Sequence, residues 1–223
     1  MKTLIFSTSY CHDQASRYLV NLWAGLTRGL NPDTDILLID SASPCLPDLS
    51  DSGVKVWSFP DNIGHFGKTG KDGWGRAFCK GLSEAIDGGY EQAVFIESDL
   101  LFSRPVAGFL EKMDRMGIPF ACPMAAPYQF LETGLMFMDV KAMALYELIE
   151  DYDWEHTSVE ELPERKIENI LNPWLFTLPL RGCRNDYGYA TVKNFEAAFP
   201  FGCDYITHCE DFAVYKRFLE GVK

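Results

Sequence analysis

Two periods of hydrophobicity alternate along the chain. Short apolar or alternating runs of strand length recur at TLIFS (3–7), DILLID (35–40), VKVWSF (54–59) and QAVFI (92–96). Between them the period stretches to that of a helix. Ala15, Tyr18, Leu19, Leu22, Trp23 and Leu26 share one face over 14–29, with Asp13 placed to cap it and Asn31-Pro32 to stop it. Ala77, Phe78, Leu82, Ala85 and Ile86 share another face from about Arg76, and Gly88-Gly89 ends it. The order strand, helix, strand, strand, helix, strand predicts an α/β layer whose strands are mostly parallel.

Beyond residue 103 the pattern is less regular. A helix is predicted over 106–116, strands at PFACPM (119–124) and TGLMFMDV (133–140), and a helix over 141–150. DYITH (204–208) reads as a late strand before a final helix from about Glu210. EDYDWEHTSVEELPER is acidic and polar, an exposed connection in which Ser158 and Glu161 stand at capping-box spacing. No repeat, low-complexity tract or linker divides the chain, so a single domain over residues 1–223 is expected.

Composition narrows what such a domain can do. With 47% hydrophobic and 14% aromatic residues it can build a sizeable core, but its formal net charge of −12 disfavours nucleic acid as a partner. An acidic protein still accommodates a nucleoside diphosphate when a divalent cation screens the phosphates. Seven cysteines are scattered without a CxxC, which reads as reduced, mostly buried thiols and a cytoplasmic setting. MKTLIFSTSYCHD has too short an apolar run for a signal peptide, and no stretch reaches the roughly 20 apolar residues of a membrane span.

The chemistry begins at FIESDLLF (95–102). The QAVFI strand delivers Glu97 and Asp99 to its carboxyl end, where ligands collect in parallel sheets. Two carboxylates at i, i+2 can share one hard cation such as Mg²⁺ or Mn²⁺. The plainer reading gives Asp99 a turn-capping job before Pro105.

The order of these segments resembles the nucleotide-binding half of GT-A glycosyltransferases. There a first strand is followed by a second ending in an acid beside small polar residues (here IDSAS), then a DNIG-like loop. A helix of small residues follows (RAFCKGLSEAIDGGY), and then a strand ending in the DxD motif, here ESD. ETGLMFMDV resembles the family's central strand, with Glu132-Thr133-Gly134 where the retaining branch usually opens with Asn-x-Gly. The resemblance implies an α/β, Rossmann-like GT-A fold. Residues 1–103 would bind a nucleotide-sugar donor and 104–223 a carbohydrate-type acceptor. It further implies Mn²⁺ or Mg²⁺ at Glu97, Asp99 and His208, with Thr8 and Tyr10 lining the nucleoside pocket. Asp40 would bond the base or ribose, Glu97 and Ser98 would face the donor, and Arg76 would steady the diphosphate. A surface arginine is the plainer reading of Arg76, and a hydrogen-bonded strand-end histidine that of His208.

An inverting transfer needs a carboxylate to take the acceptor's proton. Asp186 in RGCRND and Asp211 in CEDFAVYKRFLEG are the candidates, the latter resembling the family's ED motif with a downstream arginine, Arg217. Asp186 is slightly favoured, because Asp211 has a clear job capping the last helix. A retaining mechanism would need no such base. UDP is expected ahead of GDP, and the acceptor is a glycan, a lipid-linked sugar or a protein, with Trp174, Arg181 and Arg184 as contributors to its pocket.

Other readings rank lower. NIGHFGKT ends in Gly-Lys-Thr, as a P-loop phosphotransferase would, but Asn62 stands where glycine is required and no helix is expected until Arg76. A nucleotidyltransferase would carry a glycine-rich basic loop where FSTSYCHDQ stands. A binding protein that keeps the pocket without catalysis is the remaining alternative. Cys203, His208 and Cys209 lack the spacing of a structural zinc site, and His12 and His65 are given no role.

Overall fold

A computed structural model describes residues 1–64, 72–125, 130–151, 154, 163–184, 203–209 and 212–222. The expected strands form as β1 (Thr3–Ser9), β2 (Asp35–Asp40), β3 (Lys55–Ser58) and β4 (Gln92–Ile96). Strand β2 lies parallel to both β1 and β3, and β4 runs parallel to β1 on its other side. The register sets Phe6 beside Phe95, and Ser9 beside Asp40 at the carboxyl ends.

The later strands are β5 (Leu101–Phe102), β6 (Phe120–Ala125), β7 (Phe130–Leu131), β8 (Leu135–Asp139) and β9 (Leu175–Leu178). An eight-stranded sheet runs β3-β2-β1-β4-β8-β6-β7, with β9 also on β6. Strand β8 lies antiparallel to β4 and β6, and β7 antiparallel to β6, so these two run against the other strands of the sheet. Strands β10 (Gly182–Arg184) and β11 (Tyr205–Thr207) join β5 in a small second sheet. The strand order proceeds outward from β1 to β3, then restarts at β4 on the opposite side. A crevice therefore opens between the carboxyl ends of β1 and β4, where such sheets bind ligands.

Alternation along each strand feeds two cores. Ile5, Ile36, Leu38, Val94 and Phe137 face α1 (Gln14–Leu30), α3 (Ala107–Met116) and α6 (Phe212–Gly221), whose Trp23, Leu110 and Phe218 share that core. Leu4, Phe6, Leu37, Ile39 and Phe95 face the other way. They pack with Phe78 and Leu82 of α2 (Gly73–Asp87), Leu145 and Leu148 of α4 (Met143–Asp151), and Ile167 of α5 (Pro163–Leu171). A period of two thus places an apolar residue on each face in turn, and helices cover both. Among the described residues no helix is long and apolar enough to cross a membrane. All seven cysteines are free. Burial, set against a hydrogen bond from Ser43, pushes the Cys11 thiol up to about 11, and burial takes Cys79 and Cys122 to about 12.

Two details differ from the sequence expectation. Helix α2 begins at Gly73, not near Arg76, because Asp72 caps it by accepting the Gly75 N–H at 3.0 Å. Along α1 the buried residues are Val20, Trp23, Ala24 and Thr27, with Leu19, Leu22 and Leu26 on the flanks. Asp13 does cap α1, in a reciprocal box with Ser16. Ser158, Glu161 and His65 lie outside the described residues.

Candidate active site

The crevice is a cavity of about 730 Å³. Its walls come from the end of β1 (Thr8, Ser9) with the following Tyr10, Cys11, His12 and Asp13, from the start of α2 (Gly73, Trp74), and from Glu97-Ser98-Asp99 after β4. Thr8 is buried, whereas Tyr10 is 45% exposed and stacks its ring on His12 at 6.0 Å between centroids. Among the described residues no Lys or Arg lines the cavity.

Glu97 and Asp99 leave β4 into a turn closed by the Leu100 N–H on the Glu97 carbonyl, 2.9 Å. The indole N–H of Trp74 donates to Glu97 Oε1 at 3.0 Å, and Trp74 itself stacks on Phe78 at 5.0 Å. Behind Glu97 stands Gly134, where an added Cβ would fall 3.0 Å from Glu97 Oε2 and 3.2 Å from Oε1 of the buried Glu132. His208 arrives from the small sheet. It follows β11, which pairs antiparallel with β5 just past the ESD turn. Its backbone is left-handed (φ 54°), a conformation costly for a residue with a Cβ, and it turns the imidazole toward Asp99, with Nδ1 3.4 Å from Oδ2. One ligand atom from each of Glu97, Asp99 and His208 lies within 4.8 Å of the others. Two carboxylates on the crevice wall and the imidazole beside them, each half-buried, suit a hard divalent cation that keeps water or phosphate in its shell.

Other candidates occupy different places. Asp40 is buried, with its carboxylate accepting from Ser9 Oγ (3.2 Å), the Ser43 N–H (3.1 Å) and the Ser43 hydroxyl, so it ties the loops after β1 and β2 together. Arg76 lies in the second turn of α2. Its guanidinium bonds Asp61 at 3.1 Å and covers the Phe59 ring at 3.8 Å, and it is not among the residues lining the cavity. Trp174 is exposed on a turn before β9, and the Arg181 N–H donates to Asp204 at 2.8 Å. Asp186 and Asp211 lie outside the described residues, and Arg184 ends β10.

The sequence reading missed Trp74, Gly134 and Tyr215 as parts of this site, and gave no role to His12, which stands on the cavity wall. The Tyr215 hydroxyl bonds both the Asp99 carbonyl and the Cys209 amide. Burial first, then the charge of Asp99, pushes its phenol up from the ordinary value, so it stays protonated and able to donate. Trp74 carried a signal in hindsight, as a large aromatic inside the first turn of a helix that opens on the crevice.

The sequence matches no protein-family model and no curated protein. Solved structures of similar fold are many. The galactosyltransferase LgtC, in complex with donor and acceptor sugar analogs, superposes with a TM-score of 0.52 at 13% identity, covering 98% of this chain and 94% of its own. The glycosyltransferase GlyE of Streptococcus pneumoniae gives 0.57 at 15%, covering all of this chain and 64% of GlyE. A Bacillus anthracis protein assigned as a glucose-1-phosphate thymidylyltransferase gives 0.51 at 13%, over 80% of this chain and 86% of that one. The chain therefore has the GT-A fold, a framework on which both sugar transfer and nucleotidyl transfer are built.

Proposed function

We propose that this protein is a glycosyltransferase that moves a sugar from a nucleoside-diphosphate donor to a carbohydrate-type acceptor with the help of Mn²⁺ or Mg²⁺. The observation that carries the reading is the convergence of Glu97, Asp99 and His208 at the wall of the crevice between β1 and β4. A divalent cation held there would offset the charge that builds on the departing diphosphate. The protein's own groups fit that division of labour. Gly73, Gly75 and Arg76 already spend their N–H groups on Gly64 and Asp72, so the start of α2 offers a dipole more than free donors. Thr8 and the Tyr10–His12 stack offer a flat, amphipathic wall for a nucleoside, UDP ahead of GDP. Asp40 contributes by holding the shape of the nucleoside loops. Asp186 or Asp211 would serve as base if the transfer inverts.

The thymidylyltransferase likeness raises nucleotidyl transfer as a rival on the same fold. The first strand–helix junction, Ser9-Tyr10-Cys11-His12-Asp13, has neither the glycines nor the basic residue that would grip a triphosphate. The free thiols agree with a reducing, cytoplasmic setting. The test is calorimetric titration of UDP and GDP, with and without Mn²⁺, into wild type and Asp99→Asn. The expected result is Mn²⁺-dependent binding of UDP that the variant loses. Binding of neither nucleotide under any condition would end the donor-site reading. Binding without any metal-dependent transfer or hydrolysis of UDP-sugars would leave a binding protein.

A further inference from the structure

The carboxylates and the histidine of the cation centre come from two separate sheets, and one hydroxyl joins them. Tyr215 sits on α6, fully buried, with Val214 and Phe218 in the same core. Helix α6 is seated against α1 by the edge-on contact of Phe212 with Tyr18, 5.4 Å between ring centres. From there the Tyr215 hydroxyl donates to the Asp99 carbonyl at 3.0 Å and accepts the Cys209 N–H at 3.2 Å. Asp99 faces His208, Oδ2 to Nδ1 at 3.4 Å, and Cys209 is the residue after His208. The single Oη therefore bridges the backbones of both ligand-bearing segments.

This bridge falls where the chain needs it. His208 is held in the left-handed region, which is uncommon for a residue with a Cβ. The amide that leaves this turn is the one bound to Tyr215. A second strut, Thr207 Oγ1 to Asp99 Oδ1, is longer at 3.4 Å. Metal affinity depends on ligands being held in place before the ion arrives, and groups that orient ligands affect it nearly as the ligands do.

We propose that Tyr215 is a positioning residue of the Glu97–Asp99–His208 centre, its hydroxyl locking His208 to Asp99 at the spacing a divalent cation needs. The proposal rests on the cation reading above and adds a residue that touches neither ion nor donor. The test is Mn²⁺ alone, titrated with and without UDP into wild type, Tyr215→Phe and Phe218→Leu, following free Mn²⁺ by electron paramagnetic resonance. Urea unfolding is measured on all three. Tyr215→Phe keeps the buried ring and should lose Mn²⁺ affinity by roughly tenfold or more. Phe218→Leu, on the same helix without either bond, should lose stability and keep its Mn²⁺ affinity. Equal Mn²⁺ affinity in Tyr215→Phe and wild type overturns the proposal, as does a loss that tracks stability alike in both variants. A wild type that binds no Mn²⁺ overturns the cation reading and the proposal with it. If Tyr215→Phe does not fold, wild-type hydrogen exchange decides. Saturating Mn²⁺ should slow exchange of the Cys209 amide, and an indifferent rate rejects the lock.

Discussion

At the amino ends of β1 and β4 charges meet their opposites, and at the carboxyl ends of the same strands carboxylates meet each other. At the lower end Glu91 pairs with Lys141 at 3.2 Å and accepts the Lys2 N–H at 2.9 Å. Beside it the Tyr90 hydroxyl donates to Asp35 at 2.9 Å, and Lys55 reaches Asp35 at 3.4 Å. At the upper end Glu97 and Asp99 converge with His208, and no Lys or Arg lines the cavity among the described residues. Exposed opposite-charge pairs each contribute little, about 0–1 kcal/mol, so the lower end is ordinary surface chemistry. Gathering like charges is unfavourable by itself, and a bound cation would offset that cost. The same sheet thus carries one end where charges are paired and one where carboxylates stand together.

Substitutions at the two ends should separate affinity from stability. The largest effect after Asp99→Asn is expected from Gly134→Val. Its Cβ would press on Glu97 Oε2 and on Leu100, costing about 1–3 kcal/mol as overpacking. It should also displace Glu97 and weaken Mn²⁺ binding in the same protein. Urea unfolding and a Mn²⁺ titration check the two halves, and unchanged affinity in a destabilised variant would mean that Glu97 is not a ligand. Trp74→Phe comes next. It keeps an aromatic ring near Phe78, but it removes the N–H to Glu97 together with part of the ring system that packs on Phe78 and Phe95. Mn²⁺ affinity should fall by about tenfold, with stability lowered by the lost hydrogen bond and the lost ring packing together, about 1–3 kcal/mol.

Tyr90→Phe, at the lower end, should be the smallest and of the opposite kind. It costs stability, about 0.5–1.5 kcal/mol for one hydrogen bond, and leaves Mn²⁺ and nucleotide binding untouched. It also carries a pH signature. Burial, followed by the bond to Asp35, pushes the Tyr90 phenol from 10.0 up to about 12. The stabilisation is therefore complete below 10.0 and disappears as pH rises through about 12. Asp35 shifts the other way, its carboxyl held below the usual range by the Tyr90 hydroxyl, so its share is lost as pH falls through that lowered value. Unfolding curves should show wild type losing stability above pH 10.0 more steeply than Tyr90→Phe, and parallel curves would reject the coupling.

Much of the first half was legible because its signals are local. Strand β2 formed over the residues its apolar run marked, and Asp13 and Gly88 bound their helices as caps and stops do. The start of α2 was misplaced because Asp72 supplies the cap, so the helix begins at Gly73 and not near Arg76, and a lone aspartate after a glycine loop gives little warning. Strands β5, β7 and β10 are two or three residues long, too short to show a period. They exist because neighbouring strands present unpaired edges to them.

The sequence by itself determined the two-period pattern, the layered α/β order and the delivery of Glu97 and Asp99 to a strand end, since each follows from contacts within a few residues. Only the tertiary structure decided which groups would meet there. It brought His208 across more than a hundred positions to Asp99, turned Arg76 onto Phe59, enclosed Asp40 among serines, and set Tyr215 between two backbones. Such meetings depend on strand order and helix docking, which are settled by burying the whole apolar surface at once and leave no period along the chain.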